Sequence, residues 1–325
     1  MQLRTASLLC AGAMLVAAPG VAGALDRPEN RPDDLRRDSD LATTFQNVSR
    51  STAWEKTGSM RLDFNTHHPQ AMEVVGDRIY LSSVEIIEPT VKYPEPRNGY
   101  DRSPGKGVGH LFVLERDGTL IEDIELGRGR IYHPGGIDVR GDDIYVPVAE
   151  YRPDSRAIVY KVDASSYDVE KLFGVDDHVG GVVMDRSTGR LVGQSWGSRR
   201  FYEWTTAGRQ RGFWLNDSHF VDYQDCEYVA RGKALCSGIA GLPAQPGAAT
   251  DYELGGFALL DLRTRSILHE APTQLWSTAG HVVTRNPTDL DARGSHLTMY
   301  AAPDDFGEGN DTELLTYEAD VTRLR

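Results

Sequence analysis

The sequence predicts an all-β protein with the architecture of a five-bladed β-propeller. Three observations lead to this prediction. One short phrase recurs five times along the chain, each copy is followed by a second strand pair, and no helical 3.6-residue stripe of useful length competes with this pattern. A four-stranded unit that repeats along the chain is typical of a propeller blade.

The repeated phrase is a β-hairpin that opens on a polar residue. Alternating apolar residues on either side of a turn predict two antiparallel strands in each copy. Three copies align without gaps, one has a longer turn and one has an extra turn residue. In chain order the copies are HPQAMEVVGDRIY from His68, HPGGIDVRGDDIY from His133, HVGGVVMDRSTGRLV from His178, DYQDCEYVARGKAL from Asp222 and NPTDLDARGSHLT from Asn286.

The second strand pairs complete four strands in the first four units, but the chain ends after the third strand of the fifth. The missing strand is available within Ser51 to Phe64, so we expect an N-terminal strand to close the last blade. Blades are too thin to bury their own faces, and stacking around an axis shields them. The alternative is a six-bladed ring, which requires a further blade within residues 82–109.

The N-terminal residues are typical of a targeting segment. Arg4 precedes a short apolar run, and Ala22-Gly23-Ala24 is a small-residue cleavage site. We therefore interpret residues 1–24 as a signal peptide, residues 25–44 as a charged, flexible linker and residues 45–325 as a single propeller domain. A cleaved signal peptide predicts a periplasmic or secreted protein.

The formal net charge is −13 at pH 7. A chain this acidic is not expected to bind nucleic acid or an anionic membrane surface, and no segment of the predicted mature chain is apolar enough for membrane insertion. We expect a monomer whose partner is a small-molecule substrate or ligand.

Two of the three cysteines lie outside the predicted signal peptide, Cys226 and Cys236. If residues 230–232 form the loop of a hairpin, the two cysteines face each other across it. An oxidising compartment would then allow a disulfide; a pair of free buried thiols is the alternative.

The first residue of each repeat is the main candidate for a functional site. Inner strands of a propeller line its central channel, so the five equivalent positions should meet at one mouth. Each carries a side chain that can bind a metal or form hydrogen bonds, and imidazole with carboxylate or amide suits a divalent ion. The predicted ligands of Zn²⁺, Mn²⁺ or Ca²⁺ are His68, His133, His178, Asp222 and Asn286.

A polar channel without a metal is the alternative for these positions. His219 and His281 precede the last two repeats and are candidates to join the site. The remaining histidines, at 67, 110, 269 and 296, show no such pattern.

Residues further down the same strands and in the loops at the mouth are candidates for substrate binding and proton transfer. Between the second and third strands of the first unit lies a segment far longer than a hairpin requires, which we expect to form a lid. An aromatic residue, arginines and carboxylates at one mouth suit an anionic or polyhydroxylated small molecule. The predicted substrate-binding residues are Gln70, Arg152, Trp196, Arg199, Arg200 and Gln224, and the predicted proton-transfer residues are Glu150 and Asp225.

Several phrases of the chain resemble those of an exported bacterial family, domain of unknown function 6454. They include THHPQ, YHPGGID, VPVAEYRPDSR, QSWGSRR and HFVDYQDC. The resemblance extends over nearly the whole mature chain, from about Thr44, and it implies a propeller without an assigned activity.

Fainter resemblances concern proteins of known activity. Gln70-Ala71-Met72-Glu73 is similar to the Gln-Gly-hydrophobic-Glu phrase of five-bladed glutamine cyclotransferases. Six-bladed sugar-lactone hydrolases bind a metal in the channel through carboxylates and amides, and seven-bladed pectin-fragment lyases bind one through several histidines and a glutamine. Fold alone does not confer their function.

The sequence therefore predicts an exported, metal-dependent hydrolase or lyase acting on a small oxygen-rich substrate, such as a lactone, an ester or an acidic sugar. The metal would polarise a carbonyl and activate water. One alternative is a non-catalytic ligand- or partner-binding propeller, and a second is a cyclotransferase-like enzyme.

Overall fold

The computed structural model describes residues 39–244, 246, 251–306, 309 and 311–321. Antiparallel sheets dominate this part of the chain, and the helical residues among those described are 39–44, short 3₁₀ turns at Phe45–Asn47 and Trp196–Ser198, and Phe306. None of the helices in the described ranges has the length and apolar character needed to cross a bilayer.

Five sheets of four strands form the blades, and the first four blades are numbered in chain order. Blade 1 contains β2 (His68–Val75), β3 (Arg78–Glu88), β6 (Lys106–Glu115) and β7 (Leu120–Leu126), with a small hairpin of β4 (Lys92–Arg97) and β5 (Tyr100–Arg102) inserted between β3 and β6. Blade 2 contains β8 (His133–Pro134) and β9 (Asp138–Arg140), which together form its inner strand, then β10 (Asp143–Ala149), β11 (Ala157–Asp163) and β12 (Val169–Val175). Blade 3 contains β13 (Gly181–Asp185), β14 (Arg190–Gln194), β15 (Arg200–Thr205) and β16 (Gln210–Leu215). Blade 4 contains β17 (Asp222–Tyr228), β18 (Lys233–Leu242), β19 (Tyr252–Asp261) and β20 (Ser266–Thr273).

Blade 5 joins the two ends of the domain. It contains β21 (Thr288–Arg293), β22 (His296–Ala301) and β23 (Glu313–Asp320), and its outer strand is β1 (Glu55–Arg61). β1 pairs antiparallel with β23, from Glu55 opposite Glu318 to Arg61 opposite Glu313. The predicted five-bladed propeller closed by an N-terminal strand is confirmed. The six-bladed alternative is wrong, because residues 82–109 extend β3 and β6 and form the β4–β5 hairpin.

The core consists of five apolar clusters, each between two neighbouring blades. Leu111 and Val146 belong to the cluster between blades 1 and 2, and Val159 and Leu191 to the one between blades 2 and 3. The other three clusters lie between blades 3 and 4, 4 and 5, and 5 and 1. Removing apolar surface from water between the sheets is the main force that stabilises the ring.

The predicted linker differs from the structure at its C-terminal end. Residues 39–44 are helical, and Leu41 and Ala42 are buried in the cluster between blades 4 and 5. Thr44 Oγ1 donates a hydrogen bond to the carbonyl of Gly294. These residues are therefore packed on the domain, because Leu41 and Ala42 bury apolar surface in this cluster together with the neighbouring Phe45. The predicted signal peptide and residues 25–38 lie outside the described residues.

Buried carboxylates connect the inner strands of different blades. Asp225 of β17 accepts hydrogen bonds from the backbone N–H groups of Met72 in blade 1, at 3.0 Å, and Ile137 in blade 2, at 3.1 Å. Asp138 likewise accepts from Met184 in blade 3 and Tyr228 in blade 4. Inner strands carry N–H groups that their own sheet leaves unpaired, and buried N–H groups require an acceptor.

The β17–β18 hairpin has the predicted register. Cys226 lies directly opposite Cys236, and the structure joins them in a disulfide. Arg231 and Gly232 in the connecting loop both have positive φ, the conformation that turns the chain tightly.

Candidate functional site

The first residues of the inner strands surround a cavity of about 300 Å³, here called the mouth cavity. Seven residues singled out from the sequence line it: His68, Gln70, His133, His178, Trp196, Asp222 and Gln224. Arg102, Tyr151, Ser195 and Tyr223 also line it. The repeat therefore places side chains from four blades and one inserted hairpin around one small space.

Glycine pairs beside two of the histidines allow blades 2 and 3 to touch directly. Gly136 N–H donates to the Gly180 carbonyl at 2.8 Å, and Val182 N–H donates to the Gly136 carbonyl at 3.1 Å. A Cβ on Gly135 would lie 2.2 Å from the Gly180 oxygen. No larger residue fits there without moving the backbone. The close approach of the two glycine pairs therefore brings the adjacent His133 and His178 near each other.

His133 is buried beneath an aromatic ring. Its imidazole stacks on Tyr151 with the ring centroids 4.0 Å apart, and the His178 ring centroid is 6.2 Å away. Its Nε2 has no hydrogen-bond partner within the described residues. Burial, followed by the nearby His178 and His68, lowers the pKa of His133 well below its ordinary value. His133 is therefore a neutral base at pH 7.

His178 is held in one tautomer. Its Nδ1 lies 2.9 Å from the Glu150 carbonyl oxygen, and a carbonyl only accepts, so Nδ1 carries the proton and Nε2 is the acceptor. The ring packs edge-on against Trp196, with the centroids 4.8 Å apart. Burial lowers the pKa of His178 to about 4. An uncharged hydrogen-bond acceptor results at the mouth.

His68 and Asn286 are connected through a buried carboxylate. Asp305 Oδ2 lies 2.8 Å from His68 Nδ1 and accepts a hydrogen bond from Asn286 Nδ2 at 3.3 Å. Asn286 also donates to the Pro303 carbonyl and is buried behind the mouth. Two of the five equivalent positions are thus used to fix the seam between the first and last blades.

Asp222 forms an ion pair at the edge of the mouth cavity. Its Oδ1 accepts a hydrogen bond from Arg199 Nη2 at 3.1 Å. Burial raises the pKa of Asp222, although the nearby Arg199 opposes this. His219 Nδ1 accepts from Arg199, and His281 Nδ1 lies 3.2 Å from Glu253. Neither of these histidines is among the residues that line the mouth cavity.

Four of the five predicted metal ligands line the same cavity, Asn286 being the exception, but these four are not gathered as one coordination sphere. Within the described ranges, no three ligand atoms of His68, His133, His178 and Asp222 lie within 4.8 Å of one another. Equivalent positions of a ring are spread around its axis, and here His68, His178 and Asp222 each face a protein partner.

The inserted hairpin contributes a cation that the sequence prediction missed. Arg102, at the end of β5, lies over the Trp196 ring with its Cζ 4.9 Å from the centroid. Its Nε and Nη2 donate to the carboxylate of Asp101, so one edge of the guanidinium is paired with this neighbour. Tyr100 of the same strand packs against Arg152 of blade 2, whose Cζ lies 3.5 Å from the centroid of the tyrosine ring. The hairpin therefore spans from blade 1 towards blades 2 and 3, and its position depends on these contacts rather than on a local motif.

Glu150 and Arg152 differ from their predicted roles. Glu150 is fully buried and accepts hydrogen bonds from Arg152 and from Arg156 at 3.1 Å. Arg152 is buried as well, and neither residue lines the mouth cavity. This ion pair fixes the loop after β10, whose Glu150 carbonyl in turn orients His178. A side chain so fully paired favours a structural role, and proton transfer by Glu150 stays a prediction.

Two other predicted residues also lie away from the cavity. Asp225 is buried deeper in the channel on the backbone N–H groups described above, and burial raises its pKa well above the ordinary value. Arg200 points along blade 3, where its Nη1 donates to the Tyr202 hydroxyl at 2.9 Å. Arg199 does not line the cavity either, but it donates hydrogen bonds to two residues that do, the Gly197 carbonyl at 2.6 Å and Asp222 at 3.1 Å.

Together, these features define a β-propeller with a polar cavity at the mouth of its channel. The chain belongs to a family of unknown function, DUF6454, which matches residues 37–322. No protein among the curated proteins matches the chain.

Solved structures with a similar fold share little sequence with it. The tail fibre of Staphylococcus aureus phage P68 is 8% identical with a TM-score of 0.47, and the match covers 87% of this chain and 57% of the tail-fibre chain. A luciferin-regenerating enzyme is 10% identical with a TM-score of 0.43, covering 84% and 98% of the two chains. A member of the DUF4221 family from Bacteroides vulgatus is 11% identical with a TM-score of 0.39, covering 86% and 100%. No activity passes from these proteins to this chain.

Proposed function

We propose that the mouth cavity binds a small acidic sugar, a uronic or aldonic acid. The observation that carries this proposal is Arg102, a cation held against Trp196 at the edge of a cavity lined by amide, carboxylate and imidazole groups. Arginine is the side chain best suited to pair with a carboxylate. An aromatic ring beside it supplies the apolar contact typical of small-molecule sites.

The other lining groups suit hydroxyls. Gln70 and Gln224 each carry a donor and an acceptor, Asp222 accepts, and the Nε2 of His178 accepts. A charged imidazole would attract every anion, whether or not the anion carries hydroxyl groups. His178 stays uncharged, so it selects for a hydroxyl donor instead. The set therefore favours a ligand with one acidic group and several hydroxyl groups.

Two features favour export of the protein, which would bring it into contact with extracytoplasmic sugar acids. The predicted signal peptide and the Cys226–Cys236 disulfide are both typical of exported proteins. We therefore propose that the protein meets its ligand in the periplasm or outside the cell.

A hydrolytic form of the proposal rests on His133. Its buried Nε2 lacks a partner within the described part of the chain, and rotation of Tyr151 away from the imidazole would admit a water molecule. The imidazole would take a proton from that water as it attacks a sugar-lactone carbonyl; the ring C–O bond breaks, and the proton passes to the leaving oxygen. Ring opening of glucono-δ-lactone, followed in a pH-stat with and without added Zn²⁺, Mn²⁺ or Ca²⁺, tests both this form and the metal-dependent form predicted from the sequence.

Calorimetric titration with matched ligand pairs tests the binding proposal. Galacturonate, glucuronate and gluconate are each compared with the neutral sugar or alditol that lacks the carboxylate. We expect at least one acid to bind more tightly than its neutral counterpart. Arg102→Gln should lower the affinity for that acid by about 10- to 100-fold, the range of a hydrogen bond to a charged group. The affinity of Arg102→Gln for the neutral counterpart should differ little from that of wild type.

Arg97→Gln is the matched control, since Arg97 lies on the same hairpin but packs on Tyr93 at 4.6 Å and does not line the mouth cavity. It should leave the acid's affinity unchanged. The proposal is wrong if no acid is preferred, or if the preference survives in Arg102→Gln.

A further inference from the structure

A second cluster lies beside the mouth, in residues to which the sequence pattern assigned no role. His67, Glu85 and His110 each offer one ligand atom, and these three atoms all lie within 4.8 Å of one another. Within the described residues, no other group of three His, Cys, Asp or Glu side chains meets this distance.

The strand register of blade 1 brings two of the three together. His110 of β6 lies opposite Ser83 of β3, and Glu85 lies opposite Val108. Residues two apart on a strand share a face, so Glu85 and His110 are diagonal neighbours on one face of the sheet. The position of these two donors is fixed by the ladder of hydrogen bonds.

His110 has the protonation pattern of a metal ligand. Its Nδ1 lies 2.8 Å from Asp123 Oδ1 on β7; a carboxylate accepts, so Nδ1 carries the proton. Its Nε2 then bears the lone pair, is buried, and has no hydrogen-bond partner within the described ranges. The residue is only 6% exposed. A histidine oriented by a carboxylate, with the other nitrogen free, is the usual arrangement around bound metals.

His67 is held in place at a backbone cost. Its φ is 57°, in the left-handed region that residues with a Cβ seldom occupy. Its N–H donates to Asn65 Oδ1 at 2.9 Å, and Ser83 Oγ donates to the carbonyl of the preceding Thr66. The two imidazoles then stack, with centroids 4.9 Å apart. The loop thus places a second imidazole beside that of His110, with one ligand atom of each residue within 4.8 Å of the other.

We propose that His67, Glu85 and His110 bind one divalent metal ion of the Zn²⁺ class, with Asp123 as the positioning residue for His110. Two imidazoles and one carboxylate form a ligand set that such ions accept, with further positions left for water or a ligand.

The open side of the site faces a cavity of about 690 Å³, which His67 and Glu85 line and which shares His68 and Tyr151 with the mouth cavity. The metal site is independent of the proposed sugar binding, and neither requires the other.

Metal binding to the full mature chain, purified without a histidine tag and stripped with chelator, tests the proposal. Zn²⁺ is titrated by calorimetry, and Co²⁺ by its visible absorption, which reports imidazole and carboxylate ligation. We expect one equivalent of each ion. His67→Asn and Glu85→Gln should abolish stoichiometric binding, and asparagine keeps the left-handed backbone at position 67 accessible. Asp123→Asn should weaken it by about 10- to 100-fold.

Two controls separate this site from others. His296→Asn removes a partly exposed histidine on β22 and should leave binding unchanged. His133→Gln removes a mouth histidine and should also leave it unchanged. The proposal is overturned if no ion binds, if binding survives in His67→Asn and Glu85→Gln with unfolding temperatures close to wild type, or if His133→Gln abolishes it.

Discussion

At the scale of single residues, the site depends on histidines kept uncharged. His133 and His178 lie in one cavity, and burial lowers the pKa of both. A protonated imidazole at either position would lose much of its hydration without gaining a carboxylate partner within hydrogen-bond distance among the described residues. The mouth cavity therefore offers neutral imidazoles, and its cation is Arg102.

This arrangement predicts a specific loss of stability in acid. Below pH 6.5 the unfolded chain takes up a proton on His178, but the folded chain does so only near its pKa of about 4. Stability therefore falls as the pH drops from 6.5 to 4, by about 1.4 kcal/mol per pH unit and about 3 kcal/mol in total for this group. Urea unfolding across this range should show the fall in wild type and a correspondingly smaller fall in His178→Gln. Parallel curves for the two proteins would contradict it.

The sequence predicts a site residue when a repeated motif fixes its position. It does not predict a residue whose neighbours depend on the pairing of distant segments. His68, His133 and His178 line the mouth because a repeated phrase encodes a repeated position. The ion pair of Glu150 with Arg156 is local, and the phrase EYRPDSR contains both partners, but the sequence does not show that this pairing buries the carboxylate away from the mouth. The pairing of two strands placed Glu85 beside His110, and neither residue belongs to a repeated motif.

At the scale of elements, the segment between β3 and β6 departs most from expectation. We expected one long segment to form a lid; in the structure much of it extends β3 and β6, and a short hairpin of β4 and β5 lies between them. Pro94 and Pro96 lie in β4, a strand paired on one side only, where missing N–H groups are tolerated. The hairpin's direction depends on contacts of Tyr100 and Arg102 with other blades, which a linear pattern does not specify.

The β17–β18 hairpin gives a prediction about stability. Replacing both Cys226 and Cys236 by alanine removes a cross-link that closes a loop of sequence separation 10. The unfolded chain regains conformational freedom, so the free energy of unfolding should fall by about 2–3 kcal/mol. Guanidinium denaturation of oxidised wild type and the double variant measures this. Reductant should lower the stability of wild type and leave the variant unchanged; a variant as stable as wild type would show that the cross-link contributes nothing.

At the scale of the whole molecule, carboxylates near the axis connect blades that are distant in sequence. The repeat predicted the ring, the blade number and its closure, because each blade encodes its own strands. It did not predict that Asp225 of blade 4 accepts hydrogen bonds from blades 1 and 2, or that Asp138 of blade 2 accepts from blades 3 and 4, since the width of a five-bladed channel determines which side chains reach across it. The structure gives Asp225 a role between blades that the sequence did not indicate, and its predicted catalytic role stays a prediction.

Asp225→Ala tests this structural role. The N–H groups of Met72 and Ile137 would lose their acceptor while remaining buried, at about 1–3 kcal/mol each. We expect the free energy of unfolding to fall by about 2–6 kcal/mol, with sugar-acid affinity retained by the protein that stays folded. Asp222→Ala, on the same strand but in a partly exposed ion pair, should cost less than about 1 kcal/mol. Wild-type stability combined with lost activity in Asp225→Ala would return the residue to a catalytic role.

The central claim is that the ends of the inner strands form one small-molecule site at the mouth of the ring. A crystal structure of the protein soaked with the tightest-binding sugar acid tests it most directly. The ligand should lie in the mouth cavity, with its carboxylate on Arg102 and its ring beside Trp196, within hydrogen-bond distance of His178 Nε2. Density for the acid on an outer blade surface, with only water in the mouth cavity, would contradict the claim.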